Sequence, residues 1–453
     1  MADGLTLEQL ARYTGEPEER LRDWQERGVL NAARDGLVPP DEVDRVRLVQ
    51  LLLRRGIDPE AIAERRRNGT LEWLEDWPFK ESVGALYSLA EAAEIVGMEL
   101  STLQRFRDAF SPSAPEDYVT EEEIGLLRAW KTAALAGVPE EAMVEMIRVY
   151  MDSLDRVAEA EQRLYRFYIY RRLEAEAQSP QDLIERAKAA TDQLTPIIEP
   201  IVLYFHRRGL IRAVREDIVM ELAEQTGLAP RAETTADLRR AVVFIDLSSF
   251  TPLAEAMGDV AAAQVLERFS TIVRTSTAAW TGRVVKQIGD AFMLVFPDAR
   301  SAVACALEIE SRAAREPQFP AVRAGIHWGT VLYHEGDYVG SNVNVASRIA
   351  NESGRHQILV TADVRKEARD LPEVEFIRLG KRQLKGVSGK LDLFEVRSRL
   401  APASAEKAVD PVCGMELGPG EIAASLSLEG VERAFCSEAC LRKFVASPES
   451  YGG

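Results

Sequence analysis

Hydrophobic and polar residues follow two different periods along this chain of 453 residues. In the first half apolar residues recur at spacings of three and four, as in Met143, Ile147, Tyr150 and Leu154, which predicts amphipathic helices. From residue 241 onward, short apolar runs alternate with helical segments. The pattern predicts a multidomain protein, with an all-α N-terminal region followed by an α+β domain.

An internal repeat organises the N-terminal region. The segment 5–24 is echoed by 86–106, with its Gly15 matched by Gly97 and its Trp24 matched by Phe106. Each copy predicts a short helix, a glycine turn and a second helix that ends in an aromatic residue. This is the pattern of a helix-turn-helix.

The first copy resembles the MerR-type helix-turn-helix, which would bind DNA. Residues 1–75 contain more acidic than basic residues, and the chain has a net charge of -17, whereas a helix that reads a DNA groove needs cations against the phosphates. The three arginines at 65–67 are the opposing feature. We interpret the repeats as a helical packing or sensor module, and we expect no nucleic-acid partner.

The stretch 140–223 is helical in pattern, with two features inside it. Pro196 and Pro200 are predicted to break the helix. The aromatic run 164–170 is interpreted as core or dimer interface. The linker into the next domain is predicted around residues 227–235, which are rich in glycine, proline and polar residues.

Two aspartates of the α+β domain suggest a metal site. Asp246 follows the buried run 241–245, and Asp290 lies in a Gly-Asp turn of a hairpin predicted over 284–296. Pairing in one sheet would bring the two carboxylates side by side, where they repel unless a cation lies between them. A capped turn is the alternative for Asp246 alone.

Asn344 and Arg348 lie four apart on a predicted helix and therefore share one face. An amide and a guanidinium together suit sugar and phosphate oxygens. Ordinary exposed positions are the alternative for both residues.

The segments 244–251, 286–290 and 323–327, with Asp337, Asn344 and Arg348, resemble the active-site set of class III nucleotidyl cyclases in type, order and spacing. The resemblance implies a ferredoxin-like α+β fold over residues 236–398. It also implies conversion of ATP to cyclic AMP and pyrophosphate by in-line attack of the ribose 3′-hydroxyl.

The resemblance also assigns roles to individual residues. Two Mg²⁺ or Mn²⁺ ions per site would be held by Asp246, Asp290 and the backbone carbonyl of Leu247. Lys286 and Asp337 would read the purine, and this pair suits adenine, whereas guanylyl members typically carry Glu and Cys there.

The remaining roles implied by the family concern the sugar and the phosphates. Asn344 would orient the ribose, Arg348 would stabilise charge on the α-phosphate, and Arg323 and Lys385 would hold the β and γ phosphates. In this family the metal carboxylates face the other groups across a subunit boundary, so a homodimer with shared active sites is implied. Ser249 departs from the motif, where glycine is usual.

Residues 85–230 resemble the regulatory half of mycobacterial soluble adenylyl cyclases that respond to pH. The short loop between Val331 and Asp337 fits the same subgroup. His206 and His334 are the histidines that we consider for pH regulation. Surface positions without such a role are the alternative.

Three cysteines near the C-terminus, Cys413, Cys436 and Cys440, resemble those of the YHS family of small metal-associated domains. Three thiolates would bind Zn²⁺ or Cu⁺, although no fourth ligand is evident from the sequence. Reduced structural thiols are the alternative. A metal-sensing input to the cyclase is our preferred hypothesis.

We therefore expect a MerR-like helix-turn-helix unit at 1–78, a helical regulatory domain at 85–230, a cyclase catalytic domain at 236–398 and a YHS domain at 409–453. The sequence contains no apolar run of about 18 residues and no N-terminal leader pattern, so we expect a cytoplasmic protein without a membrane partner. The alternative function is a transcription regulator that uses a catalytically weak cyclase fold as a nucleotide sensor.

Overall fold

The computed structural model describes residues 4–39, 41–67, 86–110, 118–226, 237–399, 407–428 and 430–451. The chain divides into two units, Met1–Ala229 and Pro230–Gly453. The predicted domain boundaries near residues 80, 233 and 403, and the predicted linker, lie mainly outside the described residues. The finer division into four domains therefore stays a prediction.

The first copy of the repeat is a small helical group closed by a pair of two-residue strands. Thr6 caps its first helix, and the Gln9 side chain accepts a hydrogen bond from the backbone amide of Thr6. Gly15 ends this helix in the left-handed conformation, which glycine adopts without strain. The elements are β1 (Leu5–Thr6), α1 (Leu7–Thr14), α2 (Glu18–Glu26), β2 (Leu37–Val38), α3 (Glu42–Arg54) and α4 (Pro59–Arg67).

The second copy repeats this order and its local chemistry. Ser88 forms the same kind of capping box with Glu91, and Gly97 again ends the helix in the left-handed conformation. Trp24 and Phe106 are buried at matching positions, which confirms the predicted repeat. Its elements are β3 (Leu86–Ser88), α5 (Leu89–Val96), α6 (Leu100–Phe110), β4 (Tyr118–Thr120) and α7 (Glu121–Leu135).

Long helices complete the first unit. They are α8 (Glu140–Leu164), a π-helix (Tyr165–Tyr170), α9 (Arg171–Glu176) and α10 (Pro180–Gln225). In the aromatic run, the Tyr165 hydroxyl donates to the Ala187 carbonyl over 3.2 Å, whereas Phe167 and Tyr168 are exposed. These two rings therefore do not lie in the core of the unit.

The predicted break at Pro196 and Pro200 is wrong, because α10 continues through both prolines. A proline inside a helix removes one backbone donor and crowds the carbonyl four residues earlier, at a cost of about 3 kcal/mol. Both prolines lie on the same side of a helix of 46 residues, whose hydrogen bonds continue before and after them. The helix therefore continues despite the local penalty at each proline.

The second unit is built on an eight-stranded mixed sheet in the order β12-β13-β11-β9-β5-β7-β6, with β10 paired to β9. Its strands are β5 (Asp237–Leu247), β6 (Arg283–Ile288), β7 (Ala291–Phe296), β9 (Val322–His334), β10 (Asp337–Val339), β11 (Ile358–Thr361), β12 (Val374–Gln383) and β13 (Lys390–Ser398). Strands β6 and β7 pair as an antiparallel hairpin, which confirms the hairpin predicted over 284–296.

Helices cover both faces of this sheet. They are α11 (Phe250–Met257), α12 (Asp259–Ala279), α13 (Ala299–Ala313), α14 (Ser341–Glu352) and α15 (Ala362–Ala368). Alternate residues of β5 face different layers: Val243 joins the core with α12 and α13, whereas Val242 packs with α14. This is an α+β domain, as predicted.

A small module follows, made of β14 (Ala408–Val409), β15 (Met415–Leu417), β16 (Ala424–Leu428), β17 (Val431–Phe435), α16 (Glu438–Ala446) and a 3-10 turn (Pro448–Ser450). Its strand β15 pairs with β8 (Phe319–Pro320), which precedes β9. The module and the eight-stranded sheet share one hydrophobic core. Among the helices of the described ranges, none has the length and apolar character needed to cross a membrane.

Candidate active site

Asp246 lies near the end of β5, a strand held between β7 and β9. Directly across on β9, Arg323 contacts it through two hydrogen bonds: Nε to Oδ1 at 2.5 Å and Nη2 to Oδ2 at 3.0 Å. This fork geometry is the strongest form of an arginine–carboxylate pair. Sequence reasoning assigned Arg323 to phosphate binding and did not foresee this partner.

Asp290 follows Gly289 in the turn between β6 and β7, where glycine supplies the positive φ of 62°. Phe292 of the same hairpin is paired with Ile245, so the turn lies beside the end of β5. The structure therefore brings the Asp290 and Asp246 carboxylates into the same electrostatic environment, as expected from the hairpin.

Burial raises the pKa of both carboxyl groups. For Asp246, hydrogen bonding and charge from Arg323 oppose the rise. For Asp290, backbone amides oppose it and the neighbouring charge of Asp246 adds to it. Two half-buried carboxylates, one of which raises the pKa of the other through its charge, form a donor set suited to a divalent cation.

A second pair of side chains lies on β6 and β10. The Lys286 ammonium donates to the Asp337 carboxylate, and both side chains remain partly exposed. The other oxygen of Asp337 accepts a hydrogen bond of 2.8 Å from the backbone amide of Tyr338. The two residues assigned to base reading are thus neighbours, 51 positions apart in sequence.

The other predicted residues lie on exposed surfaces. Asn344 and Arg348 occupy one face of α14, and both are exposed while Val345 and Ile349 on the opposite side are buried. Lys385 lies in an exposed turn after β12. Their positions leave them accessible to a ligand or to a second subunit.

The turn after Asp246 has an unusual conformation. Ser249 precedes α11 with a φ of 66°, in the left-handed region. The Oγ atom of Ser248 is buried and finds no hydrogen-bond partner within the described ranges. The turn that follows Asp246 therefore combines a left-handed residue with a buried hydroxyl group that is unpaired within the described part of the chain.

The three C-terminal cysteines also come together. The sulfurs of Cys413 and Cys436 are 3.5 Å apart, and those of Cys436 and Cys440 are 3.6 Å apart. The Asp410 carboxylate joins them, with all four ligand atoms within 4.8 Å of one another. Asp410 is a candidate for the fourth ligand that was not evident from the sequence.

Hydrogen bonds between the sulfurs affect the three thiols unequally. Contacts with Cys413 and Cys436 lower the pKa of Cys440, whereas contacts with Cys436 and Cys440 raise the pKa of Cys413. Negative charge in the cluster is therefore favoured on Cys440 over Cys413. Sequence reasoning missed Asp410, although it stands three positions before Cys413 in an Asp-Pro-Val-Cys segment.

Comparison with known families identifies the modules. Residues 238–398 match the adenylate and guanylate cyclase catalytic domain, residues 30–209 match the adenylate cyclase regulatory domain, and residues 408–453 match the YHS domain. The regulatory match begins after the first two helices of the chain and includes the second copy of the helical repeat. The second unit of this chain therefore contains a nucleotidyl cyclase catalytic domain followed by a YHS domain.

Relatives extend this assignment over most of the chain. A pH-sensitive adenylate cyclase of Mycobacterium tuberculosis is 28% identical over 364 residues, which is 78% of this chain and 88% of the relative. An adenylate cyclase of Streptomyces coelicolor is 29% identical over 298 residues, covering 64% of this chain and 74% of the relative. The chain is thus homologous to bacterial adenylate cyclases.

Solved structures of cyclases from both specificity groups resemble part of the chain. The adenylyl cyclase CyaB from P. aeruginosa has 20% identity and a TM-score of 0.33, covering 38% of this chain and 98% of that structure. The guanylyl cyclase Cya2 has 23% identity and a TM-score of 0.33, covering 38% and 97%.

Proposed function

We propose that the protein is an adenylate cyclase that converts ATP to 3′,5′-cyclic AMP and pyrophosphate. The contact between Lys286 and Asp337 carries the proposal. An ammonium that donates to a ring nitrogen and a carboxylate that accepts from an exocyclic amine match the edge of adenine. Guanine presents the opposite donor and acceptor pattern.

The carboxylates of Asp246 and Asp290, with the backbone carbonyl of Leu247, fit Mg²⁺ or Mn²⁺, two ions per site. Oxygen donors of this kind, completed by substrate phosphates, are what Mg²⁺ prefers. Such ions lower the pKa of the ribose hydroxyl and neutralise phosphate charge. Asp246 and Asp290 would supply the negative charge that holds these cations.

The chain's cations stabilise the phosphates. We infer that Arg323 exchanges its carboxylate partner for the β and γ phosphates of the nucleotide, with Lys385 as a second contact. Arg348 faces the charge that grows on the α-phosphate, and Asn344 holds the ribose so that its 3′-hydroxyl lies in line with the α-phosphorus. Prearranged positive charge of this kind is usually the largest single contribution to the rate.

We propose a homodimer in which each active site is shared. An apolar stripe on α10 supports it, because its members are exposed and follow a spacing of three, four and seven. These residues are Ile197, Ile201, Tyr204, Ile211 and Ile218. A stripe with this repeat suits a helix of a second copy.

We further propose that the N-terminal helical region regulates the cyclase. The match of residues 30–209 to the adenylate cyclase regulatory domain and the similarity to a pH-sensitive relative support this role. His206 and His334, considered for pH regulation, are both exposed. We also propose that the first helix-turn-helix is of the MerR type. The catalytic domain is proposed to have a ferredoxin-like fold, and the strand order β9-β5-β7-β6 supports this fold.

The C-terminal cluster is proposed to bind Zn²⁺ or Cu⁺. Tetrahedral metal–sulfur bonds of about 2.3 Å place sulfurs roughly 3.8 Å apart, close to the separations in this cluster, whereas a disulfide would need about 2.0 Å. Asp410 is a buried oxygen donor in addition to the three thiols.

The test is conversion of ATP and of GTP by the full chain with Mg²⁺ or Mn²⁺, alongside an Asp290→Ala variant. We expect cyclic AMP from ATP, little product from GTP, and a loss of about a hundredfold or more in the variant. Equal activity with GTP would contradict the base assignment. No product from the wild-type chain would favour the nucleotide-sensor alternative.

A further inference from the structure

The YHS domain is attached to the catalytic domain by backbone pairing. Met415 pairs with Pro320, and Glu416 pairs with Phe319, which places β15 beside β8. Val412 and Met415 are buried in the same core as Phe319. Movement of the YHS domain therefore disturbs the core of the catalytic domain.

The YHS domain also contacts both ends of α11, the helix that follows the Asp246 turn. At its start, Gly414 approaches Ser249 so closely that a Cβ atom on residue 414 would lie 2.6 Å from the Ser249 Cβ. At its end, Lys443 Nζ donates to the carbonyls of Glu255 at 2.8 Å and Ala256 at 2.9 Å. A cation is favourable at this end of a helix.

Arg355 fixes the first of these contacts. Its Nη2 atom donates to the Gly414 carbonyl over 3.0 Å and to Glu416 over 3.2 Å. Since Arg355 belongs to the catalytic domain, it holds the Gly414 backbone against the Ser249 turn. The contact is therefore a defined one between the two domains.

Each contact on α11 lies beside a cysteine of the cluster. Gly414 is the neighbour of Cys413, and Lys443 follows Cys440 by one helical turn on α16. A cation bound by both cysteines would fix the distance between the two contacts. Without it, the two segments are connected by hydrogen bonds between thiols and by apolar packing, which fix the sulfur positions less tightly than metal bonds would.

We propose that the cluster of Asp410, Cys413, Cys436 and Cys440 is an effector site of the cyclase, at which a thiophilic cation tightens the hold on α11 and so positions the Asp246 turn. The inference rests on the proposed cyclase activity and on cation binding at the cluster. Loading raises kcat/KM, because a fixed turn keeps the Asp246 carboxylate and the adjoining backbone in the arrangement that binds the nucleotide.

The test compares the metal-free and loaded full chain. A chelator removes bound ions and is then washed out, a reductant keeps the thiols reduced, and Zn²⁺ or Cu⁺ is added in separate series at constant Mg²⁺. Bound metal per chain, kcat and KM for ATP, and hydrogen exchange of the amides in residues 247–257 are measured together. We expect about one ion per chain, slower exchange and a rise in kcat/KM of at least about fivefold, the lower end of common allosteric couplings.

Four variants separate binding from coupling. The double variant Cys436→Ser, Cys440→Ser removes two ligands and should lose both binding and response. Gly414→Ala and Lys443→Met keep all four ligands but weaken one contact each, so they should bind the ion and lose most of the response. Cys305→Ala changes a buried cysteine outside the cluster and should behave as the wild type.

Each outcome decides a different point. Stoichiometric binding with unchanged activity and exchange in the wild type would overturn the coupling. An absence of binding, or a response that persists in the double cysteine variant, would overturn the effector site itself. If no cyclic AMP is formed under any condition, the cyclase proposal fails, and the exchange measurement still tests the hold on α11. A response to one ion alone identifies which of the two acts.

Discussion

At the scale of single residues, Ser249 shows how a departure from a family motif is accommodated. Its φ of 66° is the reason that glycine is usual there, since other residues adopt this conformation at a cost of roughly 1–2 kcal/mol. In this chain Gly414 packs against the Ser249 side chain, and its missing Cβ provides the space. The departure at residue 249 and the glycine at 414 are therefore two parts of one contact.

Arg348 is the residue at which the catalytic proposal is most directly testable. Its guanidinium is proposed to stabilise charge that exists only in the transition state, so Arg348→Ala should lower kcat by about a hundred- to a thousandfold and leave KM nearly unchanged. Steady-state kinetics with ATP measure both constants. Arg369→Ala, at an exposed arginine, is the control and should change neither. A higher KM at unchanged kcat would instead indicate ground-state binding.

Sequence alone predicted the residues whose chemistry requires a fixed type and spacing. Asp246, Asp290, Lys286 and Asp337 fall into two neighbouring pairs in the structure, as their motifs implied. The ion pair between Arg323 and Asp246 could not be predicted, because it depends on the register of two strands 77 positions apart.

At the scale of elements, the prediction was best where local pattern and tertiary packing agree. The repeated helix-turn-helix units and the β6–β7 hairpin have turn glycines, caps and apolar spacing that all favour one structure. The continuous α10 differs from the predicted break, because the apolar period runs through both prolines although proline disfavours a helix interior. Docking of the YHS domain was missed, since strand pairs of two residues leave no sequence pattern.

The contact between β15 and α13 predicts a dependence on pH. His356 lies between Glu310 and Glu416, with Arg355 also against Glu416, and hydrogen bonds to the two glutamates raise the pKa of His356 to about 9. The protonated imidazole is thus favoured in the folded state. Its contribution to stability is complete below its ordinary pKa of 6.5 and is lost as the pH rises towards 9.

Glu416 determines how the same contact responds to falling pH. Burial raises its pKa, but the hydrogen bonds and charges of His356 and Arg355 together outweigh burial and leave the pKa lowered. The contribution of Glu416 to stability is present above its ordinary pKa and is lost as the pH falls.

Protection of the β15 amides from hydrogen exchange, corrected for intrinsic exchange, should therefore decline between about pH 6.5 and 9 in the wild type, as His356 loses its proton. His356→Gln should remove this decline, while the exposed-site control His334→Gln should keep it; equal profiles for wild type and His356→Gln would contradict the assignment.

At the scale of the whole molecule, the proposed sharing of active sites between two chains makes activity a property of the dimer. Asp246 would come from one subunit, and Arg348, exposed on α14, would come from the other. Neither chain would then hold a complete site on its own. The exposed stripe of α10 is the surface through which we propose that the two copies associate.

This arrangement predicts complementation between two inactive variants. Asp246→Ala and Arg348→Ala should each be nearly inactive alone, whereas an equal mixture that exchanges subunits forms hybrid dimers with one intact site. Random pairing puts half of the chains in hybrids, and each hybrid has one of its two sites intact, so about a quarter of wild-type activity should return. Cyclic AMP formation after co-expression measures this recovery, and subunit exchange is verified by differently tagged chains.

A mixture of Asp246→Ala with Asp290→Ala is the control and should stay inactive, because both changes remove ligands of the same half-site. If hybrids form and the first mixture also stays inactive, each site is built within one chain and the shared-site proposal is wrong.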